Sequence, residues 1–325
     1  MESHRLRLGL LALTQLIVAL DYNIVYVALP DIGKALGFSP SSAQWVVSAY
    51  AIGLGGLLLF GGRAVDRLGP RRMFMTGLAL YGVASLAGGL ASGSGLLVAA
   101  RAVQGMGGAL LTPATLTLIY RGFAEGPDRN RALGAWGMAG SAGLAAGSLL
   151  GGVLTNYLGW EWVFFVNVPL ALGCALAAPR LLPVDPARTP GAFDVPGAVL
   201  ATAGSALLVF GLASGPDSGW GSPRVAGALA AGAILLALLL VVEARTRDPL
   251  IPLRLARGRS LATTTKEVGG AMSLAVFVAI VTGSHSLLHG LHIAGWTAAA
   301  VTGALITLVL ADLGPSEGEG VPGDV

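Results

Sequence analysis

The chain has a single cysteine, Cys174, so no disulfide within the chain holds its fold together. Charge is also scarce. Only 11% of residues are Asp, Glu, Lys or Arg, less than half the roughly 25% of soluble domains, while 54% are hydrophobic. A mean hydropathy of +0.74 excludes an ordinary water-soluble domain. The apolar runs contain no metal-ligand pair and no nucleophile–base pair, and no Gly-Lys phosphate loop occurs, which argues against an enzyme. The isoelectric point near 9.3 would suit a nucleic-acid binder. The basic residues, however, are scattered between apolar runs rather than gathered on one face, so no nucleic-acid partner is expected.

Long apolar runs are plentiful. Ten segments approach the roughly 20 residues that span a bilayer: 8–29, 44–62, 73–92, 96–118, 134–157, 162–182, 195–213, 225–243, 268–284 and 290–311. The expectation is therefore an all-α, multi-pass membrane protein. Arg5 and Arg7 precede the first run as in a signal peptide, yet the run is too long, contains Asp21 and lacks a small-residue cleavage site. It reads as a retained helix. With the N-terminus inside, cytoplasmic segments hold 17 of the 20 Lys and Arg residues; Lys34 and Arg224 fall outside and Arg101 lies within a span. This bias predicts cytoplasmic N- and C-termini in the plasma membrane. The acidic tail at 312–325, rich in Gly and Pro, is predicted to be disordered.

Polar groups inside spans are costly and mark functional sites. Asp21 and Asn23 lie in the first span, Arg101 and Gln104 in the fourth. An arginine in apolar surroundings stays charged and needs a carboxylate, and Asp21 is the available acid. The pair has two readings: a structural tie that sets helix register, or a proton-exchanging pair that responds to substrate or conformation. The fifth span carries Gly134, Gly143, Gly147, Gly151 and Gly152, at spacings that let a second helix approach at backbone distance. Trp160, Trp162, Phe164 and Phe165 follow at an expected membrane interface. Between the second and third spans, Gly61–Arg72 packs five charges into twelve residues and reads as a short cytoplasmic turn. His285, His289 and His292 would share a helix face as a metal site would require, but an outer loop is the ordinary place for histidines.

Five of these features resemble motifs of the major facilitator superfamily, and of its fourteen-helix, EmrB/QacA-type drug:proton antiporters. Gly61–Arg72 resembles the G-x-x-x-D-R-x-G-R-R loop, and Leu20–Pro30 the L-D-x-T-x-V-x-V-A-L-P signature. Arg101-x-x-Gln104-Gly105 matches R-x-x-Q-G. Gly134, Gly143, Gly147 and Gly151 match the antiporter motif G-x8-G-x3-G-P-x2-G, and the aromatic run through Asn167 and Pro169 resembles the segment that follows it. There are two departures. Ser148 stands where the motif has proline, and Asn23 where the signature has threonine.

The resemblance implies two six-helix bundles with an inserted helix pair, and proton-driven antiport of small amphipathic or cationic compounds such as drugs, with no organic cofactor. Asp21, Arg101 and Gln104 would couple protons; Gly62, Asp66, Arg67, Gly69, Arg71 and Arg72 would form the gating loop; Asn23, Tyr26, Trp45 and Tyr50 would line a substrate cavity. Domains are expected at 1–182 (six-helix bundle), 183–260 (helix pair and loop), 261–311 (last two helices) and 312–325 (tail). Segment 268–284 resembles the family's thirteenth helix, so four helices would be missing near 261–266, and Asp66 would latch onto 268–284. The alternative is then a shortened, transport-incompetent paralogue acting as a membrane interaction protein or without function. A homo-oligomer could complete the pore.

Overall fold

A computed structural model describes residues 2–185 and 195–245. They form ten helices in chain order: α1 (Glu2–Ala35), α2 (Pro40–Ala43), α3 (Trp45–Leu68), α4 (Pro70–Gly89), α5 (Ser94–Gly122), α6 (Pro127–Tyr157), α7 (Trp162–Phe165), α8 (Asn167–Leu181), α9 (Val195–Ser218) and α10 (Pro223–Arg245). Each of the first eight expected spans is helical. Among the described residues, five helical stretches are long and apolar enough to cross a membrane, and α9 and α10 carry shorter apolar stretches. The junction at 261–266, the last two expected spans, the three histidines, the acidic tail and the expected partner of Asp66 lie outside the described residues.

Two boundaries differ from the sequence reading. The region between the second and third spans is not a loop: α3 runs on through Arg63, Asp66 and Arg67 to Leu68, and α4 starts at Pro70. Gly69 alone separates them, at φ 100°, a conformation that side chains bearing a Cβ disfavour. Proline follows at the first helical position, where its missing N–H is no loss. The sixth expected span is divided at Val166 into α7 and α8.

Helix pairing follows the small residues. α5 lies between α3 and α4, and α1 lies between α6 and α8. A Cβ on Gly53 or Gly61 of α3 would collide with the carbonyls of Ala102 and Ala109 on α5. A Cβ on Gly107 of α5 would stand 2.9 Å from the Gly77 carbonyl of α4. Between apolar helices in lipid, close backbone packing of this kind supplies much of the attraction. The α9–α10 hairpin packs on α3, where a Cβ on Gly56 would come within 2.9 Å of the Ala206 methyl.

The aromatic run after α6 is only partly exposed. Phe164 is fully buried and Trp160 nearly so, while Trp162 is 45% exposed. Gly88 and Gly89 at the end of α4 leave room for the Phe164 and Phe165 rings, which pack against that helix. Buried apolar residues form two main clusters. One includes Leu11, Ile17, Phe74 and Leu78; the other includes Leu20, Ile24, Val46 and Phe164. Ile17 and Leu20 fall on opposite sides of that division. Asp21 is therefore set at the seam between the two apolar halves.

Candidate coupling site

Five helices bring polar groups to this seam. α1 supplies Asp21, α3 Tyr50 and the Val46 carbonyl, α4 Ser85, α5 Arg101 and Gln104, and α8 Asn167. Asp21, Ser85, Arg101, Gln104 and Asn167 are all buried, none more than 1% exposed. In so dry a place each polar atom needs a partner. Arg101 Nη1 donates to Asp21 Oδ2 at 2.6 Å and to Gln104 Oε1 at 2.6 Å, and its Nε donates to the Val46 carbonyl at 2.9 Å. The guanidinium also lies 4.3 Å from the centre of the Tyr50 ring, within cation–π range.

The other carboxylate oxygen, Asp21 Oδ1, accepts from Gln104 Nε2 at 2.8 Å and from Asn167 Nδ2 at 2.8 Å. Gln104 Nε2 donates as well to Ser85 Oγ at 2.9 Å, and that hydroxyl donates to the Tyr81 carbonyl at 2.7 Å. The i, i+3 spacing of Arg101 and Gln104 puts both on one face of α5, so they meet Asp21 together. Charge is balanced at one acid and one base. Such an arrangement can hold an ion pair in a dry interior.

Asp21, Arg101, Gln104 and Tyr50 are thus brought together; the other sequence candidates go elsewhere. Asn23, two residues beyond Asp21, turns to α6, where its Nδ2 donates to the Leu144 carbonyl at 2.9 Å and to Ser148 Oγ at 3.0 Å. The two positions that depart from the resembled pattern are therefore bonded to each other. Tyr26 lines an open cavity of about 400 Å³ with Leu29, Lys34 and Phe38. Trp45 packs on Phe210 of α9, ring centres 5.7 Å apart. A Cβ on Gly143 or Gly147 would strike the Leu16 and Leu20 carbonyls, and one on Gly151 would stand 2.9 Å from the Val27 Cβ, so these glycines seat α1 against α6. Gly134 is different. It has open space where a Cβ would go and lies outside the close-packed seam.

The basic junction between α3 and α4 is likewise sorted by structure. Gly62 faces open space and Asp66 is exposed, near Arg63, Arg67 and Arg121. Asp185, which follows α8, reaches over the start of α4: its two oxygens accept from the backbone N–H groups of Arg71 and Arg72, each at 2.9 Å. A carboxylate there satisfies orphan donors and meets the positive end of the helix. Arg71 Nη2 adds a bond to the Pro179 carbonyl at 3.0 Å.

Sequence reasoning missed Ser85, Asn167 and Asp185. Ser85 sits unmarked in an apolar run, and Asn167 was read only as part of the aromatic segment. A polar residue within an expected span has the same standing as Asn23, and that is the available signal.

Comparison with known proteins places the bundle. The sequence profile of the Major Facilitator Superfamily matches residues 11–315. The cephamycin export protein of Amycolatopsis lactamdurans is 46% identical over 243 residues, which cover 74% of this chain and 50% of that protein. The puromycin resistance protein of Streptomyces alboniger is 45% identical, over 73% of this chain and 47% of its own length. The tetracenomycin C resistance and export protein of Streptomyces glaucescens is 35% identical, over 92% and 57%. The chain spans about half the length of these curated relatives. In fold alone it is similar to the crystallised peptide transporter POT, at TM-score 0.52 and 17% identity, covering 84% of this chain and 52% of that one. With the helical bundle, the motif order and a profile match across most of its length, the chain belongs to the Major Facilitator Superfamily.

Proposed function

We propose that this protein exports small amphipathic or cationic compounds across the plasma membrane in exchange for protons, with both termini in the cytoplasm. The observation that carries the reading is the Asp21–Arg101 pair, 2.6 Å apart and shut inside five converging helices. A buried ion pair is a poor investment in stability alone, since removing two charges from water costs several kcal/mol per ion on an order-of-magnitude scale. Its value here is that Asp21 can be neutralised. A proton taken up from water removes the negative charge, and Arg101 keeps three further partners: Gln104, the Val46 carbonyl and the Tyr50 ring.

That change biases the packing of α1, the helix shared by the polar cluster and the glycine seam with α6. In this fold, alternating access is a rocking of two bundles about a midplane site, so a proton-dependent shift in α1 is the natural link between gradient and substrate. The proton gradient supplies the energy, and no covalent chemistry is required. The resistance and export proteins among the relatives support compounds of antibiotic type as substrates.

The test is export driven by an imposed proton gradient in an efflux-deficient host, read with lipophilic cationic dyes beside Asp21→Asn and Arg101→Ala. Wild-type export well above both variants is expected. Wild-type export no higher than the variants overturns the reading.

A further inference from the structure

Asp21 has to be stable in two protonation states, and the two amides beside it are not equivalent. Gln104 is committed at both ends: its Oε1 accepts from Arg101, and its Nε2 donates to Asp21 and to Ser85. Reversing that amide would set an N–H₂ against a guanidinium and an oxygen against a carboxylate. Asn167 has no such commitment. Its Nδ2 donates to Asp21 Oδ1, with only a long 3.4 Å contact to the Val163 carbonyl besides. Its Oδ1 is buried without a hydrogen-bond partner.

We infer that Asn167 is the positioning residue that lets Asp21 change protonation state, donating from Nδ2 to the carboxylate and, after a half-turn of the amide, accepting at Oδ1 from the protonated acid. The inference rests on the proton-coupled reading above. The proton comes from water and bonds to Asp21 Oδ1, because Oδ2 faces the Arg101 cation; Oδ1 keeps the Gln104 donor and gives up the one from Asn167. The carboxylate becomes a neutral acid whose O–H donates to Asn167, and the reverse transfer returns the proton to water. One amide atom is unpartnered before the half-turn and one after it, and the half-turn also gives up the long contact from Nδ2 to the Val163 carbonyl. An amide suits this role because it carries both a donor and an acceptor on one planar group.

The surroundings leave few other candidates. The charged and titratable groups around Asp21 are Arg101 on α5, Tyr50 on α3, Tyr81 on α4 and Tyr22 on α1 itself. α8 contributes Asn167, and α6 meets the other face of α1 with glycines. Arginine has no acceptor. Ser85 already donates to the Tyr81 carbonyl and receives from Gln104. The Tyr50 and Tyr81 hydroxyls are also buried without a hydrogen-bond partner and are the competing acceptors, whereas Asn167 already meets Asp21 Oδ1 at 2.8 Å.

The test is infrared difference spectroscopy of the full chain in lipid vesicles, following the carboxylic-acid C=O band that Asp21→Asn abolishes. In the wild type that band is expected at the wavenumber of a strongly hydrogen-bonded acid. In Asn167→Leu it is expected to move upward to that of an unbonded acid, and in Asn167→Gln, which keeps donor and acceptor, to move back. A wild-type band already at the unbonded position overturns the inference without any variant, as does an Asn167→Leu band that does not move. Because the band is read without transport, these outcomes are separate from failure in the dye-export assay. An Asp21 that never protonates while the protein stays folded overturns the inference as well.

Discussion

Asp21 and Asn23 are two residues apart on α1 and sit in opposite worlds. At about 100° per residue they point roughly 200° apart around the helix. Asp21 enters a dry node built from five helices, where every partner is dictated by charge. Asn23 looks into the seam with α6, where its two bonds go to a helix carbonyl and a serine hydroxyl in exposed surroundings. The node holds one chemistry in place, whereas the seam only sets distance. That difference tells which substitutions should be fatal and which should be tuning.

The largest effect is expected from Arg101→Ala. Removing the cation leaves Asp21 buried and unpaired, at a cost of about 3–5 kcal/mol, and abolishes proton-driven export. Thermal unfolding in detergent reads the first and the dye assay the second. Asp21→Asn, which keeps the shape and removes both the charge and the proton site, is expected to retain the fold and lose the export; a variant that unfolds like Arg101→Ala would assign the pair a mainly structural role.

In the seam, bulk should matter more than charge. Gly147→Val puts a side chain against the Leu20 carbonyl and the Asn23 Cβ, and is expected to cost about 1–3 kcal/mol. Gly134→Ala on the same helix meets open space and is expected to stabilise by about 0.5–1 kcal/mol, since alanine is the better helix former. Melting temperatures moving in the same direction would break the distinction. A smaller loss, about 1 kcal/mol, is expected for Asp185→Ala, which uncaps α4. Smallest is the Asn23–Ser148 link. A double-mutant cycle of Asn23→Ala with Ser148→Ala is expected to return a coupling of about 0.5–1 kcal/mol. A coupling of zero would mean that the two departures from the family pattern are independent.

Much of the node was legible in advance because an arginine within an apolar run demands an acid, and only Asp21 was on offer. The glycines at 143, 147 and 151 were legible as a seam for the same reason of scarcity: spacing of that kind in lipid-facing helices has few other uses. The charged stretch at 61–72 misled because five charges read as a turn, although Arg63, Asp66 and Arg67 continue a helix without difficulty and only Gly69-Pro70 interrupts it. Residue type alone points Trp45 and Asn23 to a cavity. Their real neighbours, Phe210 and Ser148, lie far off in the chain and leave no local trace.

The sequence by itself determined a helical membrane protein, its family, the pairing of Asp21 with Arg101 and the face of α6 that must be glycine. These follow from local quantities: hydropathy, the cost of a lone buried charge, and spacing along one helix. Tertiary structure alone decided that Asn167 and Ser85 complete the node, that Asp185 caps α4 from 114 residues away, and that Asn23 binds Ser148. Each of those depends on which helices become neighbours, a contest among similar apolar surfaces that is settled by packing at backbone distance and not by any single residue.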